Sequence, residues 1–126
     1  MAIGNELILD WIDQVSRIDG LLMDPVALAD DVILMAYAFS DEAAFLLAMS
    51  HVVRAIHQLL EDKVDSSHLE QNYSGWDSYH FQSKRTQGQR ADLRVVFQKP
   101  AANRILVKGF GHRHLPADIY KRLKPR

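Results

Sequence analysis

The sequence predicts an α+β fold, a small antiparallel sheet of three to four strands packed against N-terminal helices and followed by a short C-terminal helix. Three observations lead there. Apolar residues recur at helical spacing over most of the first 63 positions, the period changes to alternation after Gly75, and Pro116 reopens a helical pattern near the end. With 126 residues, 48% of them hydrophobic and 25% charged, the chain can bury one core and is not of disordered composition.

Each element has a local cause. Residues 3–18 place Ile3, Leu7, Trp11, Ile12, Val15 and Ile18 at helical spacings with acids on the other side, and Gly20 breaks the pattern. Asp24-Pro25 reads as an N-cap followed by proline at the first helical position, opening a short helix near 25–31. The run VILMAYAF at 32–39 is apolar and partly β-branched or aromatic. It reads as a buried strand, with continuation of the preceding helix as the alternative. Ser40, Asp41 and Glu42 start a helix that runs to about Lys63, with Phe45, Leu46, Met49, Val52, Val53, Ile56, Leu59 and Leu60 as a broad buried face. Residues 66–75 are polar and turn-like. Residues 76–84 then alternate, Tyr79 and Phe81 on one side, His80 and Gln82 on the other. A turn at 86–89, a strand at 93–99, a loop at 99–103 with Pro100 as a breaker and a strand at 104–110 complete an antiparallel meander. The last helix covers 117–123, with Ile119 and Leu123 four apart.

Composition narrows the function. The absence of cysteine excludes disulfides and thiolate metal sites. Asp30, Asp31, Asp41 and Glu42 interrupt the longest apolar stretch, so no bilayer-crossing segment is expected, and the N-terminus lacks the basic region of a secretory signal. A cytoplasmic protein without membrane contact is the expectation. The net charge of −1 conceals an asymmetry. Residues 1–72 hold three Lys/Arg against thirteen Asp/Glu, a net of −10, while residues 73–126 hold twelve against three, a net of +9. A basic half of this kind attracts a polyanion or an acidic protein, or is neutralised by the other half across an internal interface.

The C-terminal half resembles the RelE/ParE superfamily of toxins from bacterial type II toxin–antitoxin systems. The resemblance is carried by the strand at 76–84 ending in basic residues, the strand ADLRVVF at 91–97, the strand RILVKGFGHR at 104–113 with its Gly–His–Arg ending, and Tyr120 beyond it. With VILMAYAF as the first strand, the toxin-like domain would span 32–126, and residues 1–31 would be an acidic helical extension. The resemblance implies a metal-independent endoribonuclease that cuts messenger RNA, commonly in the ribosome, by attack of the ribose 2′-OH on the adjacent phosphate. The alternative is a non-catalytic toxin that binds DNA gyrase, and an inactive regulatory domain is a third reading. It implies a cognate antitoxin as partner and no cofactor.

Such cleavage needs cations for the phosphate and groups that move protons. The expected catalytic residues are Arg94, His112, Arg113 and Tyr120, displayed on one surface of the meander. His80, Lys84, Arg85 and Lys108 are the expected RNA contacts. Arginine suits phosphate because its planar fork binds two oxygens, and histidine beside a cation stays neutral and base-competent. The strand at 76–84 departs from the nuclease pattern, because lysines are missing from its middle and His80 stands where one would lie. His51, His57 and His68 receive no role. The acidic residues 1–31, a net of −6, could cover the basic surface or build a homodimer.

Overall fold

The computed structural model describes residues 2–126. Helix α1 (Asn5–Ser16) lies close to its expected position, and Gly20 ends the connection that follows it with a left-handed φ of 90°. Helix α2 (Pro25–Ala38) starts as the sequence indicates: the Asp24 carboxylate accepts the Ala27 N–H at 2.9 Å, with Pro25 in the first turn. It does not stop near residue 31. The expected strand at 32–39 is the second half of this helix, because no Gly or Pro interrupts it. A helical period sorts its side chains. Val32, Met35 and Ala36 are buried, whereas Ile33 and Tyr37 are 50% and 67% exposed. The expected division after residue 31 therefore falls inside α2, and Ile3, Val15 and Ile18 share one core with the rest of the chain.

Helix α3 (Glu42–Leu60) is capped by Asp41, whose carboxylate accepts the Ala44 N–H at 3.1 Å. With a mean hydropathy of 1.4 it is long and apolar enough to cross a membrane by length and composition, contrary to expectation. The acids that appeared to break the run lie at or before its first turn, and its Phe45, Met49, Val52, Ile56 and Leu59 are buried in the core.

The sheet contains β1 (Leu21–Leu22), β2 (Ser67–His68), β3 (Asp77–Phe81), β4 (Leu93–Ala101) and β5 (Arg104–His112), in the order β1-β5-β4-β3-β2. β1 runs parallel to β5 and the other pairs are antiparallel. The sheet is thus mixed and five-stranded rather than antiparallel with three to four strands. Its two edge strands are too short to show alternation in the sequence. Pro100 does not break β4; the pairing resumes at Ala101–Arg104 after an irregularity, consistent with proline at a bulge.

Helices α1–α3 cover one side of the sheet and bury Leu93, Val95, Phe97, Ile105, Val107 and Phe110. Helix α4 (Ile119–Arg122) lies on the other side, where Val96, Ile119 and Leu123 form a smaller cluster with Leu69, Tyr73, Trp76 and Tyr120 around it. A side chain at Gly109 would collide with Leu123, so β5 needs glycine there to seat α4. β1 pairs only with Ile105 and Leu106, which leaves the rest of that β5 edge open. Asp31 closes part of it. Its buried carboxylate accepts the Phe110 N–H at 2.9 Å and forms a two-pronged pair with Arg126 at 2.9 and 2.8 Å.

Candidate functional site

In the β3–β4 pairing His80 stands opposite Arg94, and in the β4–β5 pairing Arg94 stands opposite Gly111. Directly opposed residues share a face. His80, Arg94 and Gly111 therefore lie on the α4 side, as do Ser78 and Val96 one step along. Arg113 continues this alternation two residues beyond Gly111. Its N–H donates to the Asp92 carbonyl at 2.9 Å and its own carbonyl accepts the Ile119 N–H at 2.9 Å, so it is pinned between the start of β4 and α4. The Arg113 charge reaches both His80 and Arg94. Tyr120 joins them from α4. Its hydroxyl lies 2.9 Å from Ser78 Oγ, its carbonyl accepts the Tyr73 hydroxyl, and its ring meets Tyr73 edge-on at 5.9 Å. Tyr120 thus packs the short helix while its polar end stays on the cationic face.

The four groups differ in access. Arg94 is only 3% exposed. Its Nη1 donates to the carbonyls of Ala91 and Leu93 at 2.8 and 2.9 Å, whereas Nε has no partner among the described residues. Burial lowers its pKa, with the Tyr120 hydroxyl beside it acting the other way. Its fork is not open to solvent in the way the sequence reading pictured, and its charge acts through the surface. Arg113 and His80 are exposed. Among the described residues no carboxylate lies within 4 Å of either guanidinium. Desolvation, then Arg94 and Arg113, push the His80 pKa below 6.5, so the neutral ring dominates near pH 7. A hollow of about 180 Å³, lined by Asp65, Ser66, Ser67, Ser78, Tyr79 and His80, opens beside the cluster.

The chain matches no known protein family, no curated protein and no solved structure. Its site must be judged on geometry.

Geometry removes His112 from the cluster. It pairs with Leu93, which puts it on the helical side of the sheet, 5.9 Å from the Phe39 ring. Its Nδ1 accepts the N–H groups of His114 and Leu115 at 3.0 and 3.1 Å. It holds the turn after β5, and burial lowers its pKa. The motif Gly–His–Arg placed both residues together in sequence, but adjacent strand residues point to opposite faces. Lys108 is occupied elsewhere: its Nζ lies 5.0 Å from the Trp76 ring and 6.0 Å from that of Tyr73, and donates to the Arg126 carbonyl at 2.9 Å. Lys84 and Arg85 follow the end of β3, and Arg85 lines a different hollow, against α3. Sequence reasoning missed Ser78, although the alternation that singled out His80 also selects it. It also dismissed His51, whose Nδ1 donates to the Gln82 carbonyl at 2.8 Å across 31 residues, a contact with no sequence signal.

Proposed function

We propose that the chain binds RNA on the α4 face of its sheet and cleaves it without a metal, as the toxin of a type II toxin–antitoxin pair. The observation that carries this reading is the convergence of His80, Arg94, Arg113 and Tyr120 on one face, with both arginines free of carboxylate partners. Arg113 is the accessible cation for the scissile phosphate. Neutral His80 is the group suited to take the proton of an attacking 2′-OH. The Tyr120 hydroxyl, oriented by Ser78, is the candidate donor to the leaving 5′-oxygen. Buried Arg94 is a positioning residue: its charge holds His80 neutral and favours the dianionic phosphorane. The resemblance adds support through the order of the C-terminal elements, since β3, β4, β5 and the short helix carrying Tyr120 follow one another.

Induced expression in a bacterium, with growth and transcript integrity followed together, tests this. Growth arrest with transcript cleavage is expected. Arg113→Ala and His80→Gln should each lower the cleavage rate by about 10²–10⁴-fold, the range for a lost phosphate contact or proton acceptor. Unchanged cleavage in both variants rules out the site. Arrest with intact transcripts and inhibited gyrase supercoiling would decide for a non-catalytic gyrase-directed toxin. Co-purification with the product of an adjacent reading frame would identify the antitoxin.

A further inference from the structure

The opposite side of the β3 edge holds a second feature that the cleavage reading does not use. β2 pairs only with Asp77 and Ser78, so the edge from Tyr79 to Phe81 is uncovered. Between this edge and α3 lies a hollow of about 320 Å³. Its chemically informative walls are His51, Arg54 and Gln58 from α3, Tyr79 from β3, and Arg85 and Gln89 from the loop beyond; none of its lining residues is acidic.

The walls are held in place by bonds that leave those side chains free. His51 Nδ1 donates to the Gln82 carbonyl, which leaves Nε2 as the available ring nitrogen. The Gln82 carboxamide donates to the carbonyls of Thr86 and Gln89 at 2.9 and 2.8 Å and fixes the loop. Asp92 anchors the same loop through the N–H and hydroxyl of Ser83 at 2.8 and 2.5 Å. Tyr79 stacks on Phe81, with centroids 5.6 Å apart and planes 10° from parallel. Among the described residues, Arg54 and Arg85 have no carboxylate within 4 Å, and Gln58 and Gln89 make no side-chain hydrogen bond.

We infer that this hollow is a binding site for a nucleoside phosphate. Two arginines without internal partners suit a phosphate dianion. The carboxamides and the free histidine nitrogen provide donors and acceptors for a base edge, and an aromatic wall offers a stacking surface. The volume is at the lower end of the roughly 300–1,000 Å³ of small-molecule sites. The nucleotide could arrive free or as part of an RNA strand crossing the β3 edge, since His80 lines the hollows on both sides.

The test uses the full chain and four probes: adenosine monophosphate, uridine monophosphate, inorganic phosphate, and an RNA hexamer carrying 2′-deoxy sugars that resist cleavage. Calorimetric titration is paired with NMR shifts of His51 and Tyr79. A free-nucleotide site gives mononucleotide binding at least about tenfold tighter than inorganic phosphate, lost by about tenfold or more in Arg54→Gln/Arg85→Gln. A strand subsite gives the same loss for the hexamer alone. Arg104→Gln, exposed at the start of β5 and lining neither hollow, should leave mononucleotide binding unchanged. Binding of every probe unaltered in Arg54→Gln/Arg85→Gln, or phosphate binding as tightly as the nucleotides, overturns the inference. Those results leave cleavage at Arg113 untouched, and a failure of cleavage leaves these titrations interpretable.

Discussion

On the side of α1–α3 the sheet presents Leu93, Val95, Phe97, Ile105 and Phe110, each at most 3% exposed and packed under three helices. On the side of α4 it presents Ser78, His80, Arg94 and Val96, and a helix of four residues with Leu123 covers only part of them. One face meets the requirement for burial with apolar side chains. The other carries polar groups, of which Ser78 and Arg94 are buried and His80 is exposed, and desolvation lowers the pKa values of His80 and Arg94. The difference is one of packing: a dry apolar face holds the strands, and the strands set His80 opposite Arg94 on the other face without a large second layer.

The comparison breaks most visibly at the core. Phe110→Ala removes a fully buried ring from the helical face and should cost about 3–5 kcal/mol in urea denaturation. Leu123→Ala, under the thin layer, should cost less, about 2 kcal/mol, because the short helix can settle toward the gap. Equal losses would mean that the two faces contribute alike. Between these two lies Arg126→Met. It strands the Asp31 carboxylate, which burial already pushes toward protonation against the pull of Arg126 and the Phe110 N–H. A loss of about 3 kcal/mol is expected, and adding Asp31→Asn should recover part of it, since the amide oxygen still accepts from Phe110. A double variant no more stable than Arg126→Met would show that the pair serves packing rather than charge.

Sequence patterning revealed the half of this architecture that repeats over many residues. Helices α1 and α3, the three long strands and the Asp24-Pro25 and Asp41 starts follow from period and capping, which are local. The second half of α2 was misread because VILMAYAF satisfies both a buried strand and a helix, and only the continuity from Pro25 decides. The two-residue strands β1 and β2 exist through pairing alone, so nothing in Leu21–Leu22 or Ser67–His68 announces them. The shared face of His80 and Arg94 was legible, because alternation can be followed across strands. Legibility failed at His112, where neighbours in a motif were taken as neighbours in space, and at Arg94, whose covering by α4 and the 91–93 backbone is a tertiary effect.

The smallest expected effect sharpens the contrast through pH. His80 and His112 lie on opposite faces, yet both have pKa values below 6.5 in the folded chain. For His112 burial leads, and protonating Nδ1 would also displace the N–H groups of His114 and Leu115. For His80 desolvation leads, followed by the arginine charges. In the unfolded chain both titrate near the ordinary value of about 6.5. As pH falls through that value the unfolded state takes up protons that the folded state refuses, so stability declines with acidification and levels off only below the folded pKa values. Thermal unfolding between pH 7.5 and 5 should show this slope. His80→Gln should flatten it while leaving the pH 7.5 midpoint nearly unchanged, because the ring is exposed and makes no hydrogen bond among the described residues. For the proposed cleavage, the same downward shift predicts an acid limb below that of an ordinary histidine, since protonation of His80 is disfavoured. A slope unchanged in His80→Gln, together with an acid limb at or above 6.5, would place His80 outside the field of Arg94 and Arg113 and remove it as the proton acceptor.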